Sequence, residues 1–505
     1  MAASQRIRSL GEYLKILRAH DALVAEPEGG TALADLPIRW VSCDSKAVRP
    51  STLFICKGAS FKRAYLVEAI SRGAVAYIAE RDLGVSVPFI HARDIRRALG
   101  ILSDAAWDHP SGSIKVCAFT GTKGKTTSVF YLRSILAARA RRTGGYDPAY
   151  LTGVTYDDGV EAGESVLTTP EAPELERRIA NAVAADRDVL VMEASSQALK
   201  LHRTLGVEFA VGAFTNFAED HISPIEHPTV EDYLASKLML FRNCRTAVVN
   251  LDMGVAMRVC EAAASCERVL TYSLVDEGAD IYLERWERTA EGLAATVRTP
   301  CFACDLTLPT PAYFNLANAL GAIACAVALG AEAEDIVAGL AHVRVSGRME
   351  VYPSASGQVV GVVDYAHNGM SLTALLSEMR ESYPDRELTV VFGATGGKGL
   401  DRRDTMGAAA GKLADRIIIT EDDPGPEDPA DICEAIARAV EAEGNHAWEI
   451  VLDRPQAIAQ AVAGAKRPAV VVVTGKGNDA FMLRRGVREP YEPDGEQLSR
   501  LLADA

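Results

Sequence analysis

The sequence predicts an α/β protein of three domains, and three observations carry that reading. Short apolar runs of strand length alternate with helical patterns along most of the 505 residues, as expected when helices connect the strands of a parallel sheet. One such strand, Ile114 to Phe119, runs into a glycine-rich turn and then a helix over Val129 to Ala140. A fresh strand–helix alternation begins after Ser346. We expect a small α/β domain over 1–112, a central P-loop domain with a doubly wound sheet over 113–345, and a Rossmann-like C-terminal domain over 346–505. The length allows two to four domains.

Composition narrows the function classes. Apolar residues make up 48% and charged residues 24%, ordinary for a globular chain with full cores. The net charge of −15 argues against nucleic acid or an anionic membrane as the main partner. An anionic small substrate remains compatible with a locally positive pocket. The ten cysteines are scattered; Cys301 and Cys304 form a Cys-x-x-Cys with no second pair at zinc spacing, so buried thiols in a reducing cytosol are expected. The start, Met-Ala-Ala-Ser-Gln-Arg, does not read as a signal peptide. Apolar runs such as Ala319 to Leu329 are too short to cross a bilayer. The expected setting is the cytoplasm, with a monomer as the default.

In chain order, the first domain offers a helix over Leu10 to His20 and strands at Trp40-Val-Ser, Thr52-Leu-Phe-Ile and Ala74 to Ala79. A helix covers Tyr65 to Gly73. A polar turn, Asp44-Ser45-Lys46, follows the first strand. No catalytic cluster is visible, which suits a recognition domain. The second domain opens with Thr120-Gly121-Thr122-Lys123-Gly124-Lys125-Thr126-Thr127. Gly121 and Gly124 let backbone N–H groups turn toward an anion, and the helix start adds its positive dipole end. Lys125 would reach the outer phosphates and the hydroxyl of Thr126 or Thr127 would hold Mg²⁺. Phe119 stands where the common pattern has its first glycine.

Later strands of this domain are Val189 to Met192, Phe209 to Phe214 and Ala247 to Leu251. Each ends in polar sequence: Glu193-Ala-Ser195-Ser196-Gln197, Thr215-Asn216…Asp220-His221, and Asn250-Leu-Asp252. Doubly wound sheets place their sites at such strand ends. Glu193 and His221 could ligate a divalent metal, though an ordinary loop histidine is also compatible. The third domain offers strands at Val359 to Val363, Leu388 to Phe392, Arg416 to Ile419 and Ala469 to Val473. They end in Asp364-Tyr-Ala-His367, Gly393-Ala-Thr-Gly-Gly-Lys398, Thr420-Glu-Asp422-Asp423-Pro424-Gly425 and Thr474-Gly475-Lys476-Gly477-Asn478-Asp479. A reaction in the cleft between the second and third domains is expected.

These motifs, in this order, resemble the Mur ligases, the ATP-dependent amide-forming enzymes of peptidoglycan synthesis, and most closely the MurE type that adds the third residue of the stem peptide. Thr120 to Thr127 is similar to the family's Thr-Gly-Thr-Asn-Gly-Lys-Thr-Thr. Asp44-Ser45-Lys46 resembles Asp-Ser-Arg at the UDP sugar, and Leu167-Thr168-Thr169-Pro170 resembles Thr-Thr-Pro. Glu193 to Leu199, with Arg203 downstream, resembles Glu-Val-Ser-Ser-His-Ala-Leu and a substrate arginine. Tyr233…Lys237…Phe241, Phe314-Asn315…Asn318, Gly347-Arg348-Met349-Glu350 and Asp364 to His367 also match.

The resemblance implies the following roles. ATP would bind at Gly121, Thr122, Lys123, Gly124, Lys125, Thr126, Thr127, Asn315, Arg348 and Asp364. UDP-MurNAc-L-Ala-D-Glu would bind at Ser45, Thr168, Thr169, Ser195 and Arg203. Lys125, Glu193, His221 and Lys237 would be catalytic, with Mg²⁺ at Thr126, Glu193 and His221 and with Lys237 carbamylated. The acceptor amino acid would meet Lys398, Arg403, Asp422, Asp423, Pro424, Gly425, Gly475 and Asp479. Movement of the C-terminal domain is implied, with hinges near residues 112 and 346.

The acceptor loop departs from the family's Asp-Asn-Pro-Arg, whose arginine pairs with the distal carboxylate of diaminopimelate. Gly425 supplies no such charge, and Asp423 adds a carboxylate that suits an ammonium. L-lysine is therefore expected, with L-ornithine the next candidate. Asp422-Asp423-Pro-Gly is also compatible with a plain turn. Gln197, Met253, Ala312, Lys398-Gly399 and Asn478-Asp479 are further departures, with Arg402 or Arg403 available to replace a lost arginine. Two other readings are a different ligase on this scaffold, such as a folylpolyglutamate synthetase, and a P-loop binding protein without catalysis. The second would be expected to lack some of Lys125, Glu193, His221 and Lys237, and all four are present.

Overall fold

The structure is a computed structural model. It describes the chain except residues 1, 28–30, 59–60, 220–221, 224–225, 398, 400, 466–467 and 504–505. The expected positions His221 and Lys398 lie outside the described residues. Two compact units emerge: Met1–Trp286 with Ala295–Leu306 and Ala317–Ala341, and Glu287–Ala294 with Thr307–Leu316 and His342–Ala505.

The first unit begins with a five-stranded sheet, in the order Leu23–Ala25, Phe89–Ala92, Ala74–Ala79, Thr52–Ile55, Trp40–Ser42. Helix Leu10–Ala19 starts at a capping box in which Ser9 and Glu12 satisfy each other's backbone. Strand Thr52–Ile55 explains its own apolar run. Leu53 and Ile55 pack with Leu10, Leu17 and Leu102 on one face, while Phe54 packs with Leu66 and Tyr77 on the other. A strand covered on both faces reads as continuous rather than alternating.

The second sheet has eleven strands, and Lys115–Thr120 lies between Val189–Glu193 and Phe209–Phe214, parallel to both. The chain leaves Lys115–Thr120, runs down helix Lys125–Thr143, and returns on alternate sides of that strand, which opens a crevice at its carboxyl end. The helix stops at Gly144, in the left-handed region at φ 77°. Strands Ile281–Thr289, Gly292–Arg298 and Ala303–Leu308 close the sheet order; the last falls in the alternating, strand-like stretch around Cys301 and Cys304, whereas the first two were not expected from the sequence pattern. The buried-thiol expectation holds for Cys304 and fails for Cys301, which is exposed. Cys301 sits in a turn, where its N–H donates to the Thr299 hydroxyl, two residues before the strand that buries Cys304.

The second unit is a six-stranded sheet, ordered Glu350–Pro353, Val359–Asp364, Ala469–Thr474, Glu387–Phe392, Arg416–Ile419, Trp448–Ile450. All but the first strand run parallel. Helices Gly369–Ser382, Asp401–Leu413 and Pro429–Ala442 pack on one face and Arg454–Ala463 and Asp494–Ala503 on the other. The last long strand, Ala469–Thr474, inserts between the first two parallel ones, so four strand-end loops converge on one edge. No helix among the described residues is long and apolar enough to cross a membrane.

Candidate active site

The phosphate loop is shaped by its backbone. Gly121 and Gly124 hold φ of 150° and 79°. A Cβ on Gly121 would lie 2.0 Å from Thr215 Oγ1, and one on Gly124 would lie 2.1 Å from Asn318 Oδ1. Only glycine leaves that concavity open. Asn216 clamps the loop from the neighbouring strand end. Its carbonyl accepts the Thr122 N–H at 3.0 Å, its Oδ1 accepts the Lys123 N–H at 2.8 Å, and its Nδ2 donates to the Lys123 carbonyl at 3.0 Å. Residue 123 is therefore held through its backbone, which explains how a lysine serves in a slot that often carries asparagine.

Lys125 curls back, donating from Nζ to the carbonyls of Gly121 at 3.0 Å and Thr122 at 3.3 Å. Of the two candidate threonines, Thr126 meets the acid: its hydroxyl donates to Glu193 Oε1 at 2.8 Å. Glu193 is buried, and the same oxygen accepts the Gly153 N–H at 2.8 Å. Lys237 is buried above the Tyr233 ring and donates from Nζ to the Gly121 carbonyl at 2.7 Å. Thus Glu193 and Lys237 come up against the loop that carries Lys125 and Thr126.

The peptide-side residues adjoin it. Thr169 Oγ1 donates to the Glu193 carbonyl at 2.9 Å and accepts the Ser195 N–H at 3.0 Å. Thr168 Oγ1 lies 3.1 Å from where a Cβ on Gly153 would sit. Arg203 donates to the Thr169 carbonyl at 3.1 Å and pairs with Glu171 at 3.1 Å. Glu171 also meets Lys57 at 2.8 Å and Arg96 at 3.3 Å. Burial raises the Glu171 carboxyl, but Lys57, Arg203 and Arg96 outweigh it and hold the group below the usual range. Three cations around one carboxylate leave excess positive charge beside Thr168 and Thr169. Sequence reasoning found Arg203 but missed Lys57, Arg96 and Glu171; the available signal was Glu171 directly after Thr-Thr-Pro. Ser45, in the first sheet's polar turn, donates to Glu68 at 2.8 Å.

In the second unit, Asp364 organises its loop by accepting the N–H groups of Met349 at 3.0 Å and Ala366 at 2.8 Å. Arg348 lies over the Tyr365 ring. Asn315 is buried and donates to Thr310 Oγ1 at 3.2 Å. The acidic loop divides its labour. Asp423 Oδ1 accepts from Lys476 Nζ at 2.9 Å and from the Leu483 N–H at 2.7 Å. Lys476 also lies 3.3 Å from Asp479, whose carboxyl is pushed up by burial and faces the Tyr365 hydroxyl at 3.5 Å. The second acid of the loop is therefore already neutralised by a resident ammonium.

Asp422 is different. It is 4% exposed, and its carboxylate takes no hydrogen bond from the described residues. Burial pushes it up to about 6, against the pull of Arg454 and Lys476. Gly475, at φ 111°, passes directly beneath: a Cβ there would lie 2.2 Å from Asp422 Oδ2. Gly425, at φ 60°, donates its N–H to the Leu483 carbonyl at 3.0 Å, which ties the loop after Pro424 to the hairpin Phe481–Arg484 and Val487–Pro490. Arg403 is engaged by Glu427 at 2.7 Å, with its buried Nε left unpaired among the described residues.

Comparison with known proteins agrees with this layout. The Mur ligase middle domain matches residues 119–326, and the Mur ligase, glutamate ligase domain matches 347–477. UDP-N-acetylmuramoyl-L-alanyl-D-glutamate–L-lysine ligase of Streptococcus pneumoniae strain D39 is 37% identical over 459 residues, covering 90% of this chain and 91% of the relative. Its counterpart in Enterococcus faecalis strain V583 is 36% identical over 481 residues, covering 93% of each. Among solved structures, a UDP-N-acetylmuramoyl-L-alanyl-D-glutamate–2,6-diaminopimelate ligase aligns at TM-score 0.67 and 24% identity, over 94% of this chain and 96% of that one. Folylpolyglutamate synthase of Mycobacterium tuberculosis aligns at 0.59 and 17% identity, over 75% of this chain and 92% of that one. At those identities the structures support the fold.

Proposed function

The chain belongs to the Mur ligase family, and from that premise we propose how its residues share out the work of an ATP-dependent ligase that joins L-lysine to UDP-MurNAc-L-Ala-D-Glu during peptidoglycan precursor synthesis. The observation that carries the choice of lysine is the acceptor loop: a buried Asp422 whose carboxylate takes no hydrogen bond among the described residues, and a glycine, Gly425, where an arginine would be needed for a second carboxylate.

A carboxylate does not condense with an amine at neutral pH, so it must first be activated. The γ-phosphoryl group of ATP passes to the D-glutamyl carboxylate, giving an acyl phosphate and ADP. The lysine amine then attacks the acyl carbon and phosphate leaves. The loop 120–127 cradles the phosphates. Lys125 exchanges the carbonyls it now holds for the outer phosphates and offsets charge building on the transferring group. Thr126 Oγ1 and Glu193 Oε1, two hard oxygens in contact beside a cradle that any Cβ would fill, fit Mg²⁺. Bound there, the ion neutralises phosphate oxygens. His221 is assigned a second ion. Carbamylation would convert Lys237 from a cation into an anion beside the Gly121 carbonyl.

Arg203, with Lys57 and Arg96, draws the anionic peptide toward Thr168, Thr169 and Ser195, and Ser45 contacts the UDP sugar. Asn315, Arg348 and Asp364 serve the nucleotide. Residues 1–112, 113–345 and 346–505 would act as recognition, ATP and acceptor domains. The enzyme acts as a monomer in the cytoplasm, without nucleic acid or membrane partners. At the acceptor, Asp422 takes the side-chain ammonium, while Lys476 holds Asp423 and Asp479 in place. Asp422, Asp423, Asp479 and Asp494 against Arg454 and Lys476 leave the pocket negative, which favours a diamino acid with one carboxylate over diaminopimelate with two. The test is ADP release with UDP-MurNAc-L-Ala-D-Glu and, in turn, L-lysine, L-ornithine and meso-diaminopimelate. L-lysine should give the highest kcat/KM, and a preference for diaminopimelate would overturn the reading.

A further inference from the structure

Arg454 has no surface at all. It and Asp494 are both 0% exposed and make a fork-to-carboxylate pair, Nε to Oδ1 at 2.9 Å and Nη2 to Oδ2 at 2.7 Å. The remaining donors reach two backbone carbonyls: Nη1 to Glu421 at 3.3 Å and Nη2 to Thr474 at 2.8 Å. Glu421 immediately precedes Asp422, and Thr474 immediately precedes Gly475. Arg454 is also the first residue of helix Arg454–Ala463. A cation at the positive end of a helix dipole is misplaced by local rules. Asp494 opens the C-terminal helix, where an anion is favoured, and it accepts the Tyr491 hydroxyl at 2.7 Å. A buried ion pair adds little net stability over an apolar pair of the same volume. What this one does add is geometry, because a planar guanidinium fixes two carbonyls and a carboxylate at once.

We propose that Arg454, locked by Asp494, is a positioning residue for the acceptor subsite, registering the strand ends that carry Asp422 and Gly475. The inference rests on the reading of Asp422 as the group that holds the acceptor ammonium. The groups facing Asp422 are Arg454 and Lys476, which favour its charge, and Asp423 and Asp494, which oppose it; the Tyr365 hydroxyl is also within its field. Arg454 outweighs Asp494 in this field, so removing both together makes Asp422 harder to ionise.

The test uses full-length Arg454→Lys, the pair Arg454→Met with Asp494→Leu, and Asp422→Asn. The pair variant strands no buried charge. Hydroxylamine serves as a small amine that captures the acyl phosphate without needing the pocket. Arg454→Lys should raise KM for L-lysine about tenfold, while kcat, KM for ATP and hydroxylamine-dependent ADP release stay within about twofold. Its pH midpoint for lysine kcat/KM should not move, because the charge is kept. The pair variant should shift that midpoint upward. A lysine KM within about twofold of the parent in Arg454→Lys, or equal losses with lysine and hydroxylamine, would overturn the proposal. So would an unmoved midpoint in the pair variant. If Asp422→Asn leaves the lysine KM unchanged, the acceptor reading itself fails; if it raises KM and Arg454→Lys does not, the positioning role alone fails.

Discussion

The phosphate cradle and the acceptor pocket are both built at the carboxyl ends of parallel strands, yet they are made from different materials. The cradle is one contiguous stretch, 120–127, and its chemistry is mostly backbone: two glycines in conformations closed to other residues, and amides braced by Asn216. The proposed acceptor pocket draws on side chains from loops that lie far apart in the chain, around 365, 422 and 475. A backbone site suits a ligand that never changes, because every member of a family binds the same phosphates. A side-chain site can be rewritten one residue at a time. The contrast teaches where specificity is free to vary.

The largest effect should come from the cradle. Lys125→Ala is expected to lower kcat by about 10³-fold with every acceptor alike, because the charge it offsets develops before the amine arrives. Steady-state kinetics with lysine and hydroxylamine check this, and a loss confined to lysine would erase the division between the two sites. Next is the comparison within the acidic loop. Asp422→Asn should raise the lysine KM by about 10–100-fold with kcat little changed. Asp423→Asn should act less on KM, since Asp423 already holds Lys476. Equal effects of the two would show that the pocket reads total charge instead of one carboxylate. In the parent, lysine kcat/KM should climb with pH through a midpoint near 6, as Asp422 ionises.

The smallest effect concerns a pair outside both sites. Glu176 is fully buried with both oxygens unpaired among the described residues, beside Asp104. Burial first, and then the Asp104 charge, push its carboxyl well above the ordinary range. The folded state thus retains a proton that the unfolded chain gives up, and this group's contribution falls as pH rises beyond the ordinary glutamate value. Glu176→Gln cannot ionise. Urea denaturation should find it more stable than the parent at pH 8, by on the order of 1 kcal/mol, with the gap narrowing toward pH 5.

Local pattern showed more of the scaffold than of the pockets. The four parallel strands expected after Ser346 fall within a residue of their positions, because runs such as Ala469-Val-Val-Val-Val signal burial on both faces. The hairpin over Phe481 to Pro490 escaped notice, since its turn is Arg485-Gly486 with both residues at positive φ and not the more usual Asn-Gly. The cradle was visible because its residues are neighbours in sequence. Lys57, Arg96 and Arg454 were not, because each gains its meaning from a partner 40 to 114 residues away. The division of labour between Asp422 and Asp423 depends on where Lys476 points, which no spacing reveals.

The uneven burial of the thiols has a practical side. Burial pushes Cys56 and Cys433 up to about 12 and Cys43 and Cys304 up to about 11, which starves them of reactive thiolate at neutral pH. Cys301, alone among the ten, is exposed. The native chain therefore carries a built-in attachment point for a maleimide dye or spin label, on a turn remote in sequence from both pockets and more open than the partly buried Cys43, Cys244, Cys260 and Cys266, so that optical or magnetic probes can be installed without rewriting any residue.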